Sequence, residues 1–262
     1  MKYRYAIYEK KGRIAYVTIN RPERMNALHI PAMEELRDIW ADFRDDPEVW
    51  VGVLTGAGDR AFCTGDDVKD MAEKAAQGIP VPEPFPLGGF GGITNRFECW
   101  KPIIAAVHGY CLAGGWGLAL ACDIIVAADN TRFGLPETLI GHLATNPVHR
   151  LPRQVPYKWA MGLILTGRQI SAEEAYRVGM VNEVVPRAEL TAAAERWAEE
   201  ILQGAPLAVR ASKEAASKGI QLPLDIALNT TFWTQREMLQ SADATEGPTA
   251  FAEKRKPVWK GK

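Results

Sequence analysis

The chain has 262 residues, 47% of them hydrophobic and 24% charged, with 31 basic and 32 acidic side chains and a formal net charge of −1. A chain of this length and composition folds as one large globular domain, or one domain plus an appendage, and buries most of the apolar surface it exposes when unfolded. The even charge balance excludes a broad positive field for nucleic acid and leaves room only for a local patch facing a phosphate group.

In chain order, the N-terminal stretch MKYRYAIYEKKGR lacks the apolar run of a signal peptide. Residues 14–19 (IAYVTI) alternate as a strand does and stop at the turn-forming Asn20-Arg21-Pro22. From Ile30 to Phe43 the apolar residues Met33, Leu36, Ile39, Trp40 and Phe43 recur at helical spacing. A strand follows at 49–56, and a second helix is predicted from about Asp67 to Ala76. Residues 78–92 hold four prolines and five glycines, the composition of a mobile surface loop or lid. PIIAAVHG (102–109) reads as a buried strand that passes through Gly114-Gly115 into the apolar helix WGLALAC and on to the strand IIVAA (124–128). The longest apolar region, 102–128, is broken by His108, the glycine cluster and Asp123, so no membrane span is expected. Ser171 to Glu174 has the form of a capping box, and Gly179 closes that helix. After the strand MVNEVV (180–185) the pattern is wholly helical. Its apolar residues, among them Trp197, Ile201, Phe232 and Trp233, are more than a helical tail can hide alone, which points to packing between subunits. Strands alternating with helices imply an α/β core with crossovers. No sequence repeat of 20–50 residues is visible.

Two segments share one plan. In 53–71 and again in 105–123, a buried strand leads through a glycine-containing turn into a helix. The first N–H groups of a helix lack intrahelical partners and sit at the positive end of its dipole, so two such ends aimed at one point would hold an oxyanion. Taken alone, strand–glycine–helix turns are common and equally read as plain connections. The four cysteines (Cys63, Cys99, Cys111 and Cys122) have no CxxC spacing and read as reduced, buried thiols of a cytoplasmic protein. The four histidines show no HxxxH spacing, so no metal site is expected.

The segments RPERMNAL (21–28), TGDDVKDM (64–71), AAVHGYCLAGGWGLALACDIIVAADNTRFGLPE (105–137), LTGRQISAEEAYRVGMVNEVVP (165–186) and AFAEKRKPVWK (250–260) together resemble the enoyl-CoA hydratase/isomerase (crotonase) superfamily, in the right order and over nearly the whole chain. The resemblance implies an α/β fold made as a spiral of ββα units over residues 1–200, with a C-terminal helical region, 201–262, used for trimer contacts. It also implies an acyl-CoA substrate, no separate cofactor because coenzyme A is part of the substrate, and a homotrimer or dimer of trimers; the charge balance and hydropathy already argue against nucleic-acid and membrane partners.

Carried over by position, the oxyanion donors are the backbone N–H groups of Asp66 and Gly114, and the segment Asp66-Asp67-Val68-Lys69 lines the thioester and pantetheine path. Asp66 stands where the family often has alanine. Its carboxylate is thereby brought beside the thioester, where desolvation raises a carboxyl pKa; Asp67 reads better as the cap of the following helix. Of the family's two glutamates, the one after the glycine cluster is here Gly117, preceded by Trp116, and the one that ends the FGxPE motif is Glu137; Gly117, Trp116 and His142 are expected on the substrate, with Trp116 narrowing the acyl pocket or stacking on a ring. A single carboxylate suits proton transfer between two carbons; hydration needs a second group, for which Asp66 and His142 are candidates. As alternatives, Glu137 is a carboxylate at a helix start, Trp116 is plain core, His142 is a hydrogen-bonding spacer, and Lys254 to Lys256 form either a solvated basic end or a phosphate contact. The expected function is therefore that of an enoyl-CoA hydratase or isomerase with Glu137 as acid/base; lyase or hydrolase chemistry and non-catalytic acyl-CoA binding remain alternatives. Gly56 to Ala61 also fits the GxGxxA of a dinucleotide turn, but FCTGDD follows where a helix should open. No GxSxG elbow is present for serine hydrolase chemistry.

Overall fold

The computed structural model describes residues 3–79 and 87–262. The strands are β1 (Ala6–Lys11), β2 (Ile14–Ile19), β3 (Val51–Gly56), β4 (Ala61–Cys63), β5 (Ile103–Val107), β6 (Tyr110–Leu112), β7 (Ile124–Ala128), β8 (Arg132–Gly134), β9 (Gln169–Ser171) and β10 (Glu183–Val185). They form two sheets, ordered β1-β2-β3-β5-β7-β10 and β4-β6-β8-β9. The larger sheet is parallel except for the β1–β2 hairpin, and the smaller one is parallel except for β8–β9. The α-helices are α1 (Ile30–Asp45), α2 (Val68–Ala76), α3 (Gly114–Ala121), α4 (Pro147–Gln154), α5 (Tyr157–Thr166), α6 (Ala172–Arg177), α7 (Leu190–Leu202), α8 (Pro206–Gly219), α9 (Leu224–Leu228), α10 (Trp233–Gln240) and α11 (Ala242–Ala252).

The chain spirals. β3-β4-α2 and β5-β6-α3 each place one strand in the larger sheet, one in the smaller, and then leave through a helix, and β7-β8 starts a third turn in the same way. Alternate residues of the larger sheet feed two cores. Ala15, Val17, Ile19, Leu54, Ala105 and Ala127 face α1, α3 and the smaller sheet. Ile14, Val51, Val53, Ile104, Ala106 and Val126 face α7 through Leu190, Ala193, Ala194 and Ala198. A parallel sheet buried on both faces needs apolar residues on both, which is why β5 is buried along its whole length. The α1 stripe Met33, Leu36, Ile39, Trp40 and Phe43 is buried as its spacing predicts, and the Ser171–Glu174 capping box is complete in both directions. All four cysteines are buried free thiols.

The segment after Gly56 continues into β4, in agreement with the rejection of a dinucleotide turn. Two expectations change. The predicted strand 180–185 is paired as a ladder only over Glu183–Val185. Of the expected lid, residues 80–86 lie outside the described residues, while Gly88 to Thr94 are buried around the 3-10 turn Phe90–Gly92. A Cβ on Gly92 would stand 2.7 Å from the Arg37 backbone, so this glycine serves close packing rather than motion.

Beyond α7, helix α8 is tied to the core by Lys213, whose Nζ donates to the Lys101 carbonyl at 2.9 Å and to Asp123 at 2.7 Å. The C-terminal helices leave Leu224, Leu228, Trp233 and Phe251 exposed. Among the described residues, no helix is long and apolar enough to cross a membrane.

Candidate active site

The first strand–turn–helix is anchored from behind. Leu28 bridges the turn: its N–H donates to the Gly65 carbonyl at 2.8 Å, and its carbonyl accepts from the Asp67 N–H at 2.9 Å. In such a parallel bridge the residue between those two groups turns its own N–H to the opposite side, so the Asp66 amide faces away from Leu28. Asp67 caps α2 by accepting the Asp70 N–H at 3.2 Å. It also pairs with Arg21 at 2.9 Å, and both side chains are buried. Burial alone would raise the Asp67 pKa, but the Asp70 amide and the Arg21 guanidinium outweigh it and hold the carboxyl below its ordinary range. Arg21 also donates to the Ala27 carbonyl. Asn26, fully buried, donates to the Ala57 and Ala61 carbonyls at 2.9 and 2.7 Å. The RPERMNAL segment is thus a clamp that holds the turn bearing Asp66.

The second strand–turn–helix runs from β6 through Ala113, at φ 55° and ψ −132°, into α3. That backbone region is sparsely populated for any residue with a Cβ and costs about 1–3 kcal/mol, which the packing around it must offset. The Ala113 N–H is held by the Gly134 carbonyl at 2.9 Å. Gly114 is the first residue of α3, so its N–H has no intrahelical acceptor. The two turns abut: a Cβ on Gly65 would meet Ala113 Cβ at 2.7 Å and the Gly114 nitrogen at 3.0 Å. Only glycine at 65, with φ +93°, lets them come so close.

Both turns open on a cavity of about 520 Å³ whose lining includes Asp66, Gly114, Phe90, Glu137 and His142. Glu137 lies in the 3-10 turn Pro136–Ile140, where its carbonyl accepts the His142 N–H at 2.9 Å. Its Oε2 is buried without a hydrogen-bond partner among the described residues. Burial raises the Glu137 pKa, its own amide works against that, and the charge of Asp66 adds to it. Asp66 is pushed up to about 6, chiefly by burial, with its own backbone N–H and His142 pulling the other way. Perturbed carboxyls gathered in one cavity are the electrostatic mark of proton-transfer sites.

Asp67, Val68 and Lys69 lie on the same lining. Trp116 and Gly117, expected on the substrate, are not among the residues that line this cavity. Trp116 is fully buried and packs at a tilt on Phe133, with ring centroids 5.6 Å apart. Gly117 faces the cavity wall from behind: a Cβ there would stand 3.2 Å from Asn146 Oδ1 and from the Pro147 ring. Arg255, in the basic tail, is engaged by Glu246 and Glu253. Phe90 was not foreseen as a site residue. Its ring lies where a Cβ on Gly114 would be, at 2.9 Å, so it backs the second amide. Arg24 and Arg60, also on the lining, carried no signal beyond a motif in one case and a turn in the other. A second cavity of about 1290 Å³, between α3, α4 and α8, shares Phe90, Thr145 and Asn146 with the first.

A ββα spiral with two abutting glycine turns and a half-buried glutamate on one cavity is an α/β scaffold with a candidate active site. Comparison with known proteins supplies the family. The family model for enoyl-CoA hydratase/isomerase matches residues 9–262. The chain is 41% identical to (E)-benzylidenesuccinyl-CoA hydratase of Thauera aromatica over 97% of its length and 98% of the relative's. It is 42% identical to carnitinyl-CoA dehydratase of Escherichia coli K12, over 97% of each chain. Among solved structures, enoyl-CoA hydratase EchA1 from Mycobacterium marinum superposes with a TM-score of 0.90 at 39% identity, over 98% of this chain and 99% of that one. The chain belongs to the enoyl-CoA hydratase/isomerase family, within the crotonase superfamily.

Proposed function

We propose that the chain catalyses reversible addition of water across the Cα=Cβ bond of a 2-enoyl-CoA. The thioester oxygen accepts the N–H groups of Asp66 and Gly114, which hold the negative charge of the enolate as it forms, and Glu137 exchanges the proton at Cα. What supports this is one observation: the two turns abut, and the buried Glu137 carboxyl faces the same cavity. Preorganised amides of this kind contribute ~3–4 kcal/mol each to the transition state, because they need no reorientation as charge develops. The related proteins' names, a hydratase and a dehydratase, describe one reaction run in opposite directions.

The segment Asp67-Val68-Lys69 flanks the pantetheine arm, and Lys69, Arg24 and Arg60 meet the coenzyme A phosphates from the same lining. Every proton carrier and anion donor in this route is a protein atom, so no separate cofactor enters. The exposed Leu224, Leu228 and Phe251 of the C-terminal helices are the surface for a homotrimer or a dimer of trimers, and the four free thiols suit a cytoplasmic enzyme.

The test is loss of enone absorbance from a panel of straight-chain and aryl enoyl-CoAs. Wild type is expected to hydrate at least one, and Glu137→Gln to lower kcat by roughly 10²–10⁴-fold. Full activity in Glu137→Gln would remove Glu137 from the chemistry.

A further inference from the structure

We propose that the side chain of Asp66 is the second acid/base of this site, the working partner of Glu137. This rests on the enoyl-CoA reading above and supplies the group that reading lacks, because a glutamate at 117 is absent and Gly117 is not on the cavity lining.

Three observations carry it. Asp66 and Glu137 line one cavity, close enough that the charge of Asp66 acts on Glu137. Neither carboxyl is in an ion pair among those of the described residues, whereas the adjacent Asp67 is committed to Arg21 and the α2 cap. The Asp66 carboxyl does no evident structural work, yet it is held where burial disfavours its charge. A group kept ionisable at such a cost to stability belongs to function. The charged and titratable groups around it are Glu137 and His142 from the 3-10 turn, Asp67 and Lys69 from its own segment, and Cys63 behind it. Glu23, Arg24 and Arg60 complete the lining.

The pair shares one proton, and its titration belongs to both members. In hydration, the ionised carboxyl takes a proton from water as the water oxygen bonds to Cβ. The π electrons move through Cα to the thioester oxygen, where the Asp66 and Gly114 amides hold the charge. The enolate then collapses and takes its Cα proton from the protonated carboxyl. One water is added, and the pair ends with one proton on the other member, which transfer between the two restores. The double use of Asp66 couples binding to chemistry. Its own N–H stabilises its carboxylate, and a thioester oxygen that takes this N–H leaves the carboxyl a stronger base.

Asp66→Asn and Asp66→Ala both keep the backbone amide, so they separate carboxyl from oxyanion donor. Hydration kinetics across the pH range and thermal unfolding are measured for each beside wild type and Glu137→Gln. The proposal expects kcat to fall about 100-fold or more in both Asp66 variants, with KM within about 3-fold. It also expects the acidic limb of the wild-type kcat/KM profile to change in shape, and the unfolding midpoint at neutral pH to rise as the buried carboxylate is removed. Unchanged kcat and an unchanged limb would overturn it, as would a loss carried by KM alone. If wild type and Glu137→Gln behave as expected while the Asp66 variants stay fully active, this inference alone fails. If wild type hydrates no enoyl-CoA, the functional reading itself fails and this inference with it.

Discussion

The two turns that present Asp66 and Gly114 follow the same path through the fold and are held by opposite means. Helix α3 is buried over Gly115, Trp116, Gly117, Leu118, Ala119 and Leu120, and its turn is fixed by close packing. Helix α2 has no buried residue along its length, and its turn is fixed by polar clamps: Arg21 on Asp67, and Leu28 on Gly65 and Asp67. The contrast has a physical basis. A buried helix can be placed only where every neighbour fits, which makes the Gly114 amide rigid but leaves no room for charge. An exposed helix tolerates the carboxylates and Lys69 that line the other half of the cavity, but its first turn then needs explicit ionic ties. One amide is positioned by packing, the other by electrostatics.

Each half can be broken by its own route. The largest effect is expected from Arg21→Met, which leaves Asp67 buried without its cation and costs about 3–5 kcal/mol at neutral pH. The sign with pH follows from the depressed Asp67 pKa. The stability it contributes is present above the unfolded-state pKa and is lost as pH falls through the lower folded-state value. The gap between wild type and Arg21→Met, read by denaturant unfolding, therefore narrows below about pH 4. A gap independent of pH would mean that Arg21 acts by packing alone. On the other side, Gly115→Ala places a Cβ 2.1 Å from the Cys63 carbonyl and is expected to cost about 3 kcal/mol, with no pH dependence in the same assay. The smallest effect belongs to Lys69→Ala. Lys69 is exposed on the lining, and on the proposed contact with the coenzyme A phosphates its loss should raise KM by only about 3-fold, and less in high salt. A change in kcat at saturating substrate would place Lys69 in the chemistry instead.

What could be read from the sequence follows the same division. Long elements with a clear period, β2, α1 and β7, fall where the spacing puts them. The strands β4, β6, β8 and β9 have three residues each, too few for any period, so the smaller sheet that carries both turns was invisible. The glycines of 88–92 were mistaken for signs of mobility because composition cannot separate a glycine that flexes from one that lets backbones touch. Whether Trp116 and Gly117 line the cavity could not be read for a related reason. A helix apolar on every face has no period to say which residue looks into a cavity. Glu137 could be located because it ends the FGLPE motif. Phe90 could not, since its position behind Gly114 depends on a contact between segments distant in sequence.

The central claim is that the Asp66 and Gly114 amides converge on one carbonyl oxygen. The most direct test is the carbonyl stretch of a ¹³C-labelled enoyl-CoA bound to the Glu137→Gln protein, where hydration is expected to be slow enough for the substrate to persist. Two N–H donors on that oxygen lower its frequency relative to the free thioester; a bound thioester whose carbonyl frequency matches that in water would contradict the account.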